Sequence, residues 1–127
     1  GGNLCTLNLL HGTEFMPKLN NCILFIEDCV ESKDTFIVNF DRDLQSIIHQ
    51  PGFEKVKALV IGRFEESAGM TNDKLIKIIK TKKELNKIPV IADIDFGHTS
   101  PHITFPVGGK IRLSANRNDI KLQVLEH

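Results

Sequence analysis

The chain has 127 residues, 41% of them apolar and 25% charged, the balance of an ordinary globular protein long enough for one core. Sixteen acidic residues offset sixteen Lys and Arg, so no net field draws the chain to DNA, RNA or an anionic membrane, and neither nucleic acid nor membrane is an expected partner. No apolar run approaches the roughly 20 residues needed to span a bilayer, and no signal peptide is visible.

Gly1-Gly2-Asn3 runs at once into Leu4, Leu7, Leu9 and Leu10, which reads as a chain cut at a domain boundary. Asn3 to Leu10 is expected as a short helix with Asn3 as its N-cap. Ile23-Leu24-Phe25-Ile26 is a continuous apolar run, the pattern of a strand buried on both faces, and it stops at Glu27-Asp28. From Lys33 to Gln50 the helical period returns, with Ile37, Phe40, Leu44, Ile47 and Ile48 inward and Pro51-Gly52 as the stop. Val56 to Ile61 is a second buried strand, closed by Gly62. Thr71 or Asn72 caps a helix through Leu85, with Leu75, Ile76 and Ile79 inward and five lysines on its wet side. Ile88 to Ala92 is a third strand with Pro89 near its start. Lys110–Ser114 and Ile120–Leu125 alternate apolar and polar, an antiparallel pair joined by a turn over residues 116–119. Buried strands joined by helices imply a parallel core, and the terminal hairpin adds antiparallel strands. The expected fold is therefore α/β, a mixed sheet flanked by helices.

The cysteines, Cys5, Cys22 and Cys29, are odd in number and lack C-x-x-C spacing, which argues against a disulfide framework and a structural zinc site and for a reducing cytoplasm. Cys5 and Cys29 have no Lys or Arg beside them to lower a thiol pKa, so neither reads as a nucleophile.

Polar groups collect where the buried strands end. The first strand ends in Glu27-Asp28, the second leads to Arg63 and Glu65, and the third runs into Asp93 through His98. If these strands are parallel, their carboxyl ends form one cleft, the place where ligands bind in open α/β sheets. His98 sits on a loop shaped by Gly97 and Pro101, and Glu27 can orient it from a neighbouring strand end, leaving the other ring nitrogen as a base. A surface His and an exposed Glu is the plainer reading. A competing constellation is Asp93, Asp95, His98 and His102, four metal-ligand types within ten residues, which would make the chain a metal or small-ligand binding domain. Gly97 and Pro101 deny that set the helical i, i+4 geometry, and Asp93 and Asp95 also suit Asx turns. A dimerisation module built on apolar faces is a third possibility. None of Ser32, Ser46, Ser67, Ser100 and Ser114 lies in a G-x-S-x-G elbow, so the chain offers a base and its orienter with nothing to activate. No cofactor is expected.

Several segments in order resemble the carboxy-terminal domain of the LD-carboxypeptidase family of serine peptidases, and its microcin C immunity branch in particular. They are Gly1-Gly2-Asn3-Leu4 with Gly12-Thr13, Ile23 through Asp28, Phe40-Asp41-Arg42-Asp43-Leu44 and Leu59 through Phe64. Ile88-Pro89-Val90, Phe96 through Pro101 and Pro106-Val107-Gly108 complete the set. The resemblance implies one swivelling β/β/α-like domain over residues 1–127, the carboxy-terminal domain of a two-domain enzyme. The amino-terminal domain, absent from this chain, would supply the serine. It implies a Ser-Glu-His triad whose Glu is Glu27 and whose His is His98, and a domain inactive alone. It further implies substrate contacts at Asn3, Glu65 and Glu31 and no metal. The substrate class is a murein L,D-peptide or a microcin-type aminoacyl-nucleotide. Glu31 stands where the immunity branch is expected to carry Lys, which keeps both substrates open. A homodimer is the assembly expected of the full-length enzyme.

Overall fold

The computed structural model describes residues 1–116 and 119–126; the expected turn over residues 116–119 includes Arg117 and Asn118, which lie outside the described residues, as does His127. A two-residue strand, β1 (Gly2–Asn3), leads directly into α1 (Leu4–Asn8). Asn3 caps that helix, its side-chain oxygen accepting the Thr6 N–H at 2.9 Å, so one of the donors left unpaired at a helix start is satisfied. β2 (Ile23–Glu27) extends one residue past the apolar run, to the glutamate itself. α2 (Phe36–Ile48) begins later than the apolar period suggests, because Ser32 O accepts from the N–H of both Thr35 and Phe36 and spends the preceding residues in a turn. Gly52, at φ +92°, then reverses the chain, a conformation that glycine adopts without strain.

β3 (Ala58–Gly62) is buried at every position. α3 (Asn72–Thr81) is capped by Thr71 and is shorter than expected: Lys82 leaves helical geometry at ψ 94°, and a 3₁₀ turn occupies Lys83–Lys87. β4 (Val90–Ile94) starts two residues after the expected position, past Pro89, whose carbonyl accepts from Leu59 N–H at 3.0 Å. β5 (Lys110–Ala115) and β6 (Ile120–Glu126) form the hairpin. Among the described residues no helix is long and apolar enough to cross a membrane.

The strands β1-β2-β3-β4 lie side by side in chain order, all parallel, and the hairpin forms a second sheet of its own. Because strand–helix–strand crossovers share one hand, a sheet laid down in chain order carries its helices on one face. The burial pattern agrees. Leu24, Ile26, Leu59 and Ile61 pack with Leu4 and Leu7 of α1, Phe40, Leu44 and Ile47 of α2, and Leu75 of α3. Their alternates Phe25 and Val60 point the other way, onto Phe96, Phe105 and the inward side chains Ile111, Leu113 and Leu122 of the hairpin. The result is three layers: hairpin, parallel sheet, helices. Each fully buried Leu, Ile or Phe contributes about 1.5–3 kcal/mol of apolar transfer to this arrangement. Ile76 departs from its expected inward place and is 48% exposed, while Ile78 and Ile79 pack against the core.

One irregularity redirects β4. Val60 pairs with Ile91 but Gly62 pairs with Ile94, so β4 carries one extra residue there. Asp93 takes that place at φ +62°, the left-handed conformation found in bulges and tolerated by Asp. The bulge turns Ile94 to the hairpin side, with Phe96, and aims the following loop across the end of β2.

Candidate active site

The register sets the floor of the site. Asn3 pairs with Glu27, Ile26 with Ile61 and Gly62 with Ile94, so the carboxyl ends of all four parallel strands line up along one sheet edge. Glu27 follows Ile26 and shares the pleat face of Phe25, on the hairpin side. Its residue is 6% exposed. Two glycines make that burial possible. A Cβ on Gly62 would lie 2.8 Å from Glu27 Cβ, and a Cβ on Gly97 would lie 2.6 Å from Glu27 Oε2. Gly97 also needs its φ of +99° to bring the loop over the carboxylate.

Above Glu27 stands His98, with Nδ1 at 2.6 Å from Glu27 Oε2. The short contact is that of a charge-assisted hydrogen bond, with Nδ1–H donating to the carboxylate. The His98 side chain is half exposed, so Nε2 is left toward the open side. The hydrogen bond to Glu27 holds the imidazole above its ordinary value; burial opposes the shift, and the charges of Glu27, Glu65 and Asp28 add to it. Two residues 71 positions apart are thus joined as an imidazole and its orienting carboxylate.

The other sequence candidates fall around this pair in different ways. Glu65 lies after β3, and its Oε2 accepts the Val30 N–H at 3.1 Å, tying down the loop that follows Glu27. Asn3 is occupied on both sides of its amide. Its oxygen caps α1, and its nitrogen donates to Asp28 Oδ1 at 3.0 Å and approaches Cys29 Sγ at 3.6 Å. Asp28 accepts from the Asn3 amide and from Cys29 N–H. Burial pushes the Asp28 carboxyl up, and these two hydrogen bonds pull it back. Glu31 is exposed and lines a cavity of about 40 Å³ with Cys5, Asp28, Cys29, Phe36 and Asp43. Burial, then the neighbouring carboxylates, raise the Cys5 and Cys29 thiols, the opposite of what a nucleophile needs. A larger cleft, about 520 Å³, opens at the amino end of β2 between Lys57, Phe105 and Lys110, and includes none of Glu27, Glu31, Glu65 and His98.

The four-residue metal constellation is not assembled. Asp93 sits in the bulge, Asp95 is ion-paired with Arg63, and His98 faces Glu27. Among the described residues no three His, Cys, Asp or Glu side chains come together in a way that could hold a metal ion. The bulge explains the failure, because it breaks the i, i+2 alternation that would have kept Asp93 and Asp95 on one face. No serine hydroxyl among the described residues is hydrogen-bonded to His98; Ser46, for one, is 3.2 Å from His11 Nδ1.

Residues 1–113 match the family model described as the LD-carboxypeptidase C-terminal domain. The chain belongs to the LD-carboxypeptidase family. It is 50% identical over 127 residues to a Bacillus subtilis (strain 168) protein named "Putative carboxypeptidase YocD", covering all of this chain and 38% of that protein. Its fold superimposes on the crystal structure of an MccF-like protein from Bacillus anthracis str. Ames with a TM-score of 0.96 and 40% identity, across all of this chain and 39% of the other. A muramoyltetrapeptide carboxypeptidase from Oxalobacter formigenes is also similar, with a TM-score of 0.76 and 32% identity, over 96% of this chain and 42% of that one. The LD-carboxypeptidase relatives are therefore much longer, and this chain spans about two fifths of their length.

The strand-end glutamate and the loop histidine were visible in the sequence of this family member. The glycines that house them were not assigned that purpose. The available signal was a glycine closing an otherwise apolar strand, a position that often marks close approach of another chain segment.

Proposed function

We propose that this chain is the carboxy-terminal part of a serine-type amide hydrolase in which Glu27 and His98 serve a serine that lies elsewhere in the full-length enzyme. The 2.6 Å bond between His98 Nδ1 and Glu27 Oε2 carries the reading. It leaves Nε2 as the base that takes the serine proton and returns it to the leaving amine, while Glu27 holds the tautomer and stabilises the imidazolium. The need for a serine from outside is supported by the extent of the match: about three fifths of each longer relative has no counterpart in this chain. Substrates are amides: murein L,D-peptides, in keeping with the name of the Oxalobacter protein, or the microcin-type aminoacyl-nucleotides that the family resemblance also implies. Glu65, 3.1 Å from Val30 N through one oxygen, keeps a second oxygen for a substrate ammonium, and Glu31 lies further along the same loop, with Asn3 holding that loop in place from below. Three free thiols suit a cytoplasmic enzyme.

The test is hydrolysis by the full-length enzyme of a murein tetrapeptide and of an aspartyl-nucleotide amide. Wild-type protein should release product from at least one, His98→Ala should lower kcat by several orders of magnitude, and the 127-residue chain alone should release none. Full activity in His98→Ala would end the proposal.

A further inference from the structure

We propose that Arg63 is the positioning residue for His98. The inference rests on reading His98 as the base, and it concerns what holds the His98 loop in register over Glu27. Arg63 is the first residue past β3, and its own N–H donates to Ile94 O at 3.1 Å, so its backbone is fixed to the end of β4. From there Nη2 makes two contacts. It pairs with the Asp95 carboxylate and donates to the Pro101 carbonyl at 3.0 Å. Asp95 stands three residues before His98 and Pro101 three residues after it. One guanidinium therefore pins both limbs of the loop that presents the imidazole. The neck is closed behind it by Ile103 N–H to Asp95 O at 2.6 Å.

The loop needs such a strap. Gly97 gives it backbone freedom, the His98 ring is half exposed, and the ring's contact with the rest of the chain is the hydrogen bond to Glu27. Each unpinned residue in such a loop has about 1–2 kcal/mol of backbone entropy drawing it away from one geometry. Arg63 and Asp95 are themselves 35% and 50% exposed, so their ion pair adds little to global stability. Its consequence is geometric, and a guanidinium suits it: planar, always charged, with donors aimed in fixed directions, where a Lys ammonium is a single point.

The experiment follows carbethoxylation of His98 by diethylpyrocarbonate in the full-length enzyme, read peptide by peptide by mass spectrometry across pH, beside thermal unfolding. It needs no turnover, so it is independent of whether His98 proves catalytic. The reagent reacts with neutral imidazole, so the midpoint of the rate reports protonation. In wild-type protein the midpoint should lie above the ordinary value near 6.5. Arg63→Gln should move it down toward that value and raise the limiting rate, with the unfolding temperature little changed. Arg63→Lys should fall between, and it serves as the second variant if Arg63→Gln fails to fold. In the activity assay Arg63→Gln should lose about 100-fold in kcat with KM nearly kept, as expected of a misplaced base. An unmoved midpoint in a folded Arg63 variant overturns the inference, as does a lower unfolding temperature with the His98 midpoint intact. If the midpoint moves while His98→Ala retains full activity, the positioning stands and the catalytic reading falls.

Discussion

Glu27 is enclosed and His98 is half open, and that difference decides how each responds to change. Glu27→Gln keeps the shape but removes the charge that fixes the imidazole tautomer and its cation; kcat of the full-length enzyme should fall about 10⁴-fold, measured at saturating substrate. The raised His98 value sets the pH behaviour. With His98 acting as the proposed base, activity would require the neutral imidazole, so the acidic limb of kcat/KM should have its midpoint above the ordinary imidazole value near 6.5. The stability linkage runs oppositely: the folded value exceeds the unfolded one, so the contribution is complete below the unfolded value and fades as pH rises through the folded one. Gly97→Ala puts a methyl 2.6 Å from Glu27 Oε2 on a residue at φ +99°. It should abolish activity and destabilise by about 1–3 kcal/mol in urea unfolding. The juxtaposition of Glu27 and His98 could be read in the sequence because both lie where parallel strands end. The requirement at Gly62 and Gly97 could not, because it depends on which side chain packs over them.

Among the elements, α3 departs most from its pattern. Five lysines, Lys74 to Lys83, look like one solvated face while the helix is assumed to continue. It stops at Thr81, and Lys82 turns inward, 5% exposed, to pair with Asp41 of α2. Sequence periodicity assigns a face only while the period lasts, so the residue just past a helix end is the one it misplaces. The pair is lopsided: the Lys82 side chain is 6% exposed and Asp41 is 43% exposed. Removing Asp41 strands a buried ammonium, while removing Lys82 leaves a carboxylate that water can reach. Asp41→Ala should therefore cost about 3 kcal/mol and Lys82→Met distinctly less, as a comparison of urea midpoints would show. The late starts of α2 and β4 have similarly local origins, in the Ser32 turn and in Pro89.

At the scale of the molecule, the parallel sheet is sealed by helices on one side and by the hairpin on the other, and the two seals differ. The helical side gathers most of the buried apolar side chains; the hairpin side rests on Phe25, Val60 and Phe96. Phe25 and Phe105, at 4.6 Å between ring centroids, and Phe96 with Phe105, at 5.4 Å, hold that second layer. Amide hydrogen exchange should accordingly be fastest in β5 and β6 and slowest in β2 and β3, with the hairpin opening as a unit. The layered α/β plan was legible, since buried strands and helical periods alternate openly. That the hairpin makes a separate sheet was not, because strand patterns do not reveal which edge a strand avoids.

The strands of the parallel sheet stand in the order in which a ribosome makes them. Each emerging strand can dock on the one before it without displacing a neighbour, so the nascent chain has no vacancy to hold open for a later arrival. Glu27 emerges before β3 and β4 and waits on a growing sheet. Its histidine arrives only after β4 and the bulge at Asp93 have been translated. The Glu27–His98 pair thus forms only once the sheet that must hold it already exists.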